Sequence, residues 1–276
     1  MKSLICKSAV LYLVGSALLG SFLIENLPAL ALPAQQTQKQ AQQGGGPSKE
    51  RIGLVIEKLL RVPVFMIMNA EGKPLADTVR NNNQDIVVTP VYMSGQEAQA
   101  FITKLRNLNG NDPKLSQIVT VAQTLEVKPL PLASIYQEIL DNTNDPNRLG
   151  FIFDPVDQDY QAAMQLRSQS GQSTEDFTGV PLFLVSPGPD KPYLRIQIGE
   201  GDNSEEIIPV HLGKKEAESL LNQVKTQFPE ASIQVVEIDE VIRAMLGAED
   251  PWVNKVRFIP TGESVEFFNS LSPSTR

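Results

Sequence analysis

Only one cysteine, one histidine and one tryptophan occur among 276 residues. Cys6 lies in an apolar N-terminal stretch, so the remainder of the chain has no disulfide, no thiol nucleophile and no thiolate metal site. His211 alone does not supply the nitrogen ligands of a zinc site. No G-x-S-x-G elbow accompanies it to suggest a serine triad. The 18 glycines form neither a P-loop nor a G-x-G-x-x-G phosphate cradle. Positive charge is also scarce, with 24 Lys and Arg against 32 Asp and Glu, a formal net charge of −8. Loss of residues 1–34 removes Lys2, Lys7 and Glu25 and takes the charge to −9. Such a chain has little with which to replace phosphate counterions, which argues against nucleic acid, and it gains nothing from an anionic membrane surface. No cofactor and no metal are expected.

Acidic residues are present but unselected. "FDPVDQDY" holds Asp154, Asp157 and Asp159, and "GEGDNSEE" holds Glu200, Asp202, Glu205 and Glu206. Neither has the alternating ligands, sharp glycine turn and distal glutamate of a calcium loop. Loop and helix-capping roles are the plainer expectation. A hydrolase with dispersed carboxylates stands as an alternative, although no pair is singled out.

The N-terminus reads as an export signal. Lys2 and Lys7 precede the uncharged run "SAVLYLVGSALLGSFLI" (8–24), followed by small residues at Ala29, Ala31 and Ala34. This layout predicts a signal peptide over 1–34, cleaved after Ala31 or Ala34, and no membrane-spanning segment thereafter. The Gln- and Gly-rich stretch 35–49 predicts a flexible linker.

Beyond it the chain repeats itself. "VPVFMIMNAEGKPL" (62–75) matches "VPLFLVSPGPDKPY" (180–193), and "TPVYMSGQEAQAF" (89–101) matches "IPVHLGKKEAESL" (208–220). "LASIYQEIL" and "FIFDPVDQDYQAAMQL" recur in pattern as "IDEVIRAML" and "RFIPTGESVEFFNSL". A repeat of about 100 residues is too long for a solenoid unit. It predicts two similar lobes, 50–170 and 171–276, related by a pseudo-twofold axis.

Each lobe predicts a mixed α/β (α+β) unit. The continuous apolar runs at 62–68 and 180–186 are buried strands. A Gly/Pro turn follows each. The next strands carry Pro90 and Pro209, which belong at a bulge, an edge or a strand end. A helix then starts at a Ser94–Glu97 capping box. "SQIVTV" (116–121) and "SIQVVEI" (232–238) read as strands, with an insertion near "QTLEVKPLP" in the first lobe only. An amphipathic helix, "SKERIGLVIEKLLRV", precedes both lobes and docks on its own body or faces a partner.

Two lobes that open V-P-V-F and V-P-L-F, with P-V-Y-M and P-V-H-L leading into Glu-Ala helices, resemble the Tic-twenty-two family. These are soluble components of chloroplast protein import with exported cyanobacterial relatives. The resemblance spans about residues 50–271. It implies a non-enzymatic protein that binds precursor or unfolded envelope proteins through apolar pockets and takes part in outer-membrane biogenesis. The implied partners are precursor or outer-membrane proteins and the outer-membrane barrel insertase, to which the protein would alternatively serve as a scaffold. The implied place is the periplasm, or alternatively the thylakoid lumen. The candidate client-binding residues are Phe65, Met66, Met68, Tyr92 and Met93, with Phe183, Leu184, His211 and Leu212 at matching positions. The flexible methionines suit an adaptable surface, while packing against the lobes' own helices is the competing reading.

Overall fold

The fold is that of a computed structural model, which describes residues 9–10, 47–81, 84–109, 112–145, 148–175, 177–189, 191–199, 204–247 and 251–271. Apart from the two-residue strand β1 (Ala9–Val10), the expected signal peptide lies outside these residues, as does nearly all of the linker. No described helix is long and apolar enough to cross a membrane.

The first sheet contains β2 (Pro63–Met68), β3 (Asp77–Asn81), β4 (Gln84–Tyr92), β5 (Glu126–Pro131) and β6 (Gly150–Asp154), in the order β1-β6-β4-β2-β5 with β3 beside β4. The second contains β7 (Pro181–Ser186), β8 (Ile196–Ile198), β9 (Glu205–His211), β10 (Ser232–Glu237) and β11 (Val256–Ile259), in the order β10-β7-β9-β11 with β8 beside β9. Both sheets are mixed in the same way. β6 runs parallel to β4, and β11 runs parallel to β9. The cross-strand pair Phe65 and Tyr92 recurs as Phe183 and His211. The duplication is therefore structural as well as sequential.

The repeated prolines mark a change of partner. β4 pairs antiparallel with β3 through Val88, then with β2 from Val91. Pro90 falls in the gap between the two ladders, where its missing N–H donor breaks no antiparallel bond. Pro209 occupies the matching gap, after the β8 pairing that ends at Ile207 and before the β7 pairing at His211. Neither proline is at a bulge, an edge or a strand end as its residue type alone suggested.

One segment differs from the sequence expectation. "SQIVTV" is not a strand but part of a helix, α3 (Pro113–Ala122), and the strand is the following β5. Proline is favoured at the first helical position, and the Asp112 carbonyl accepts the first N–H groups, from Leu115 and Ser116. The β-branched run hid this start. Pro129 and Pro131 hid the strand, which tolerates them because β5 is an edge. The insertion of the first lobe is thus α3 and not the stretch near "QTLEVKPLP", which forms β5, the counterpart of β10.

Inner faces of both sheets share one core. Val64, Met66 and Val91 meet Leu182, Ile208 and Val210 across helices α1 (Lys49–Leu59), α4 (Leu132–Asp141) and α7 (Ile238–Gly247). Alternation along each strand sends Phe65 and Ile67, or Phe183, to the outer face. α1 contributes the fully buried Val55 and Leu59 and contacts both α4 and α7, so it lies between the lobes.

The outer layers are exchanged. α2 (Gly95–Arg106) and α6 (Lys214–Val224) cover their own sheets. α5 (Asp157–Gln169), which follows the last strand of the first lobe, packs on β7 and β10 of the second. α9 (Gly262–Leu271), which follows the last strand of the second lobe, packs on β2 and β5 of the first. Each lobe is completed by the other's terminal helix. A short α8 (Trp252–Lys255) precedes β11.

Candidate functional site

The crossing points of the exchanged helices are built twice from the same parts. Glu97 Oε1 accepts the Asp157 N–H at the start of α5, and Glu216 Oε1 accepts the Gly262 N–H at the start of α9, each at 3.1 Å. The repeated Glu-Ala motif therefore caps the departing helix. Ser94 Oγ accepts the Glu97 N–H as the capping box requires, but the Glu97 carboxylate reaches across to Asp157 instead of back to Ser94. In the second lobe Gly213 has no side chain to cap α6. Asp159, on α5, accepts the Lys214 N–H at 2.9 Å in its place. Ser264, on α9, donates to the Met93 carbonyl.

Between these caps is a cavity of about 10 Å³, at the lower limit for one water. Its lining comes in matched pairs, Pro63 with Pro181, Met93 with Leu212 and Asp159 with Ser264, as expected on a pseudo-twofold axis.

Burial of carboxylates at this seam raises their proton affinity. Glu97 is pushed up to about 7, chiefly by burial, with the Asp157 N–H opposing and the charges of Asp157, Asp154 and Glu263 adding. Asp154 is pushed up to about 6 by burial and by Asp157. Among the described residues no group of three or more His, Cys, Asp or Glu is placed to hold a metal. Glu205 and Glu206 engage Arg257 and Lys255 in ion pairs.

Raised carboxyls bind more protons folded than unfolded between their ordinary values and about 7, so they lower stability as pH rises through that window. Asp239, pushed up to about 6 by burial and by Glu237, acts the same way. Burial lowers His211, which opposes them below about 6.5. The melting temperature should therefore fall between pH 5.5 and 8 by about 2–4 °C, taking about 1 kcal/mol after allowance for partial exposure. Glu97→Gln should flatten the upper half of this fall. A melting temperature that climbs over the window would contradict the assignment.

The nine residues expected to bind clients occupy three settings. Phe65, Tyr92 and Phe183 are buried under the outer helices, and Met66, Met93 and Leu212 are buried in the shared core. His211 is also buried, with Nδ1 3.3 Å from the Phe183 carbonyl. That contact makes Nδ1–H the donor, and burial lowers the basicity of the ring. Met68 and Leu184 are half-buried at the margin of the core. Met93 and Leu212 line the axial cavity, and Leu184 lines a second one.

That second cavity is an apolar recess of about 60 Å³ in the second lobe. Leu184, Ile208, Val210 and Val236 supply its strand wall, Val241 and Ala244 its helix wall, and Tyr193 and Trp252 flank it. The two aromatic rings stack at 6.3 Å and 30°. Glu240 and Gln234 are the polar members. Strand register explains the space. Val256 faces Ile208 as Phe151 faces Thr89, so a valine stands where the first lobe has a phenylalanine. Sequence reasoning missed Tyr193, Trp252 and Val256. The lone tryptophan and the phenylalanine-to-valine change between repeats were the available signals.

These features define a duplicated, helix-exchanged α+β body with an apolar recess and a carboxylate-capped seam. The chain belongs to the Tic22-like family, whose profile matches residues 12–270. It is similar to the solved structure of Tic22 from Anabaena, a protein-transport protein, at 40% identity and a TM-score of 0.72 over 80% of this chain and 98% of that one. The fold is shared with Tic22 from Plasmodium falciparum at 17% identity and a TM-score of 0.59, over 80% of this chain and 99% of that one. No curated protein sequence matches the chain.

Proposed function

We propose that the protein is a non-enzymatic, periplasmic protein-transport factor that holds precursor or unfolded outer-membrane proteins during envelope biogenesis. The observation that carries this reading is the second-lobe recess, in a chain 40% identical to a protein-transport protein. An apolar recess of about 60 Å³ gains by admitting an apolar group, which takes its surface out of water. Its scale suits one client side chain. The excess of acidic over basic residues keeps such a carrier soluble while apolar segments are bound.

The first lobe suggests the decisive variant. Val256→Phe supplies the ring that Phe151 supplies there, filling the recess without adding a polar group. This variant should lose most of its ability to suppress aggregation of an unfolded outer-membrane β-barrel protein, at an unchanged melting temperature. Undiminished suppression would overturn the recess as the client site.

A further inference from the structure

The helix that closes the first lobe's outer face is the shortest of the four covering the sheets. α9 has ten residues, and Ser264 is its one fully buried side chain. Val265 and Leu271 are exposed, while Phe267 and Phe268 are half-buried against the sheet. A helix of this length has little stability of its own. The surface beneath it is of the opposite kind. Phe65, Ile67, Ala98 and Ile102 form a wholly apolar floor, and Phe65 meets the Phe267 ring edge-on at 5.3 Å. Gly95 makes the approach possible, since a Cβ there would lie 2.1 Å from a Phe267 ring carbon. A short helix that fully buries no apolar side chain belongs to the low-stability end of a fold.

We infer that α9 is a displaceable helix, and that the groove between α2 and β2 admits an amphipathic client helix carrying aromatic residues in its place. The occupant is read from α9 itself. It reaches this lobe from the other, and it shows that the groove fits a helix with paired aromatics on one face. Recognition is of the helix-in-groove kind, with the aromatic side chains as anchors. The inference rests on the client-binding reading above but concerns a different surface from the recess.

A reversible lock tests it in the full chain. In a Cys6→Ser background, Gly95→Cys and Phe267→Cys are combined. A Cβ on residue 95 lies 2.7 Å from the Phe267 Cγ, one bond from its Cβ, which brings the two within reach of a disulfide, about 4 Å. The probe is a labelled synthetic peptide of residues 260–271. It should bind the reduced variant at least tenfold more tightly than the oxidised one, with α9 amides exchanging faster than those of α2 in the unmodified protein. Equal peptide binding in both redox states, or α9 amides as protected as those of α2, would overturn the inference. A dimer that forms on reduction in place of peptide binding would also overturn it, by assigning the groove to a second copy. Peptide exchange together with no client capture by any form would uphold the displaceable helix and reject the proposed function.

Discussion

Leu59→Asp is expected to melt both lobes in a single transition. Leu59 is fully buried on α1, within the core that joins the two sheets. Replacing it with a carboxylate removes apolar packing and buries a charge without a partner, at a cost of about 4–5 kcal/mol or more. The milder Leu59→Ala should cost about 2–5 kcal/mol. Trp252 gives a reporter in the second lobe, and far-UV circular dichroism reports the whole. The two curves should coincide in the native protein and in Leu59→Ala, because α1 contacts α4 of one lobe and α7 of the other. Two separated transitions, with the tryptophan curve unmoved by Leu59→Ala, would show that the lobes have independent cores.

Phe65→Ala and Leu184→Ala should part company. Both residues were singled out by the same sequence argument, yet Phe65 is fully buried and Leu184 lies half-buried on the recess. The phenylalanine variant leaves a cavity under the outer helices and should cost about 3–5 kcal/mol. The leucine variant should cost about half as much or less, because its site is already partly open, while losing client retention. Melting and aggregation suppression, measured on both variants, decide the matter. Equal destabilisation with proportional loss of retention would leave no binding role separate from the core.

The repeat was legible because it rests on positions that only a strand or a helix start accommodates in both lobes. The V-P-V-F and V-P-L-F runs became β2 and β7, and Glu-Ala fell in the first turn of α2 and α6. Pairing partners were not legible. Pro90 and Pro209 signalled a missing donor, but only the arrangement of strands showed that each sits where β4 or β9 changes partner. The α3 region was misread because β-branched residues obeyed tertiary context over local preference. The exchange of α5 and α9 left no trace in hydropathy, since a helix stripe records that it packs and not on which sheet. For the same reason buried and recess-lining residues looked alike. Phe65 and Leu184 both lie in apolar strands, and what separates them is the layer above.

The bond from Lys58 Nζ to the Asn254 carbonyl spans 196 residues of chain. It ties α1, the earliest helix of the body, to a segment near its far end. A polypeptide emerging N-terminus first, from a ribosome or through a membrane pore, cannot settle α1 against α7 and α8 until nearly all of it has appeared. Contacts of such long range are slow to form. The seating of α1 against the second lobe is thus postponed by the topology of the chain itself until its far end is in place.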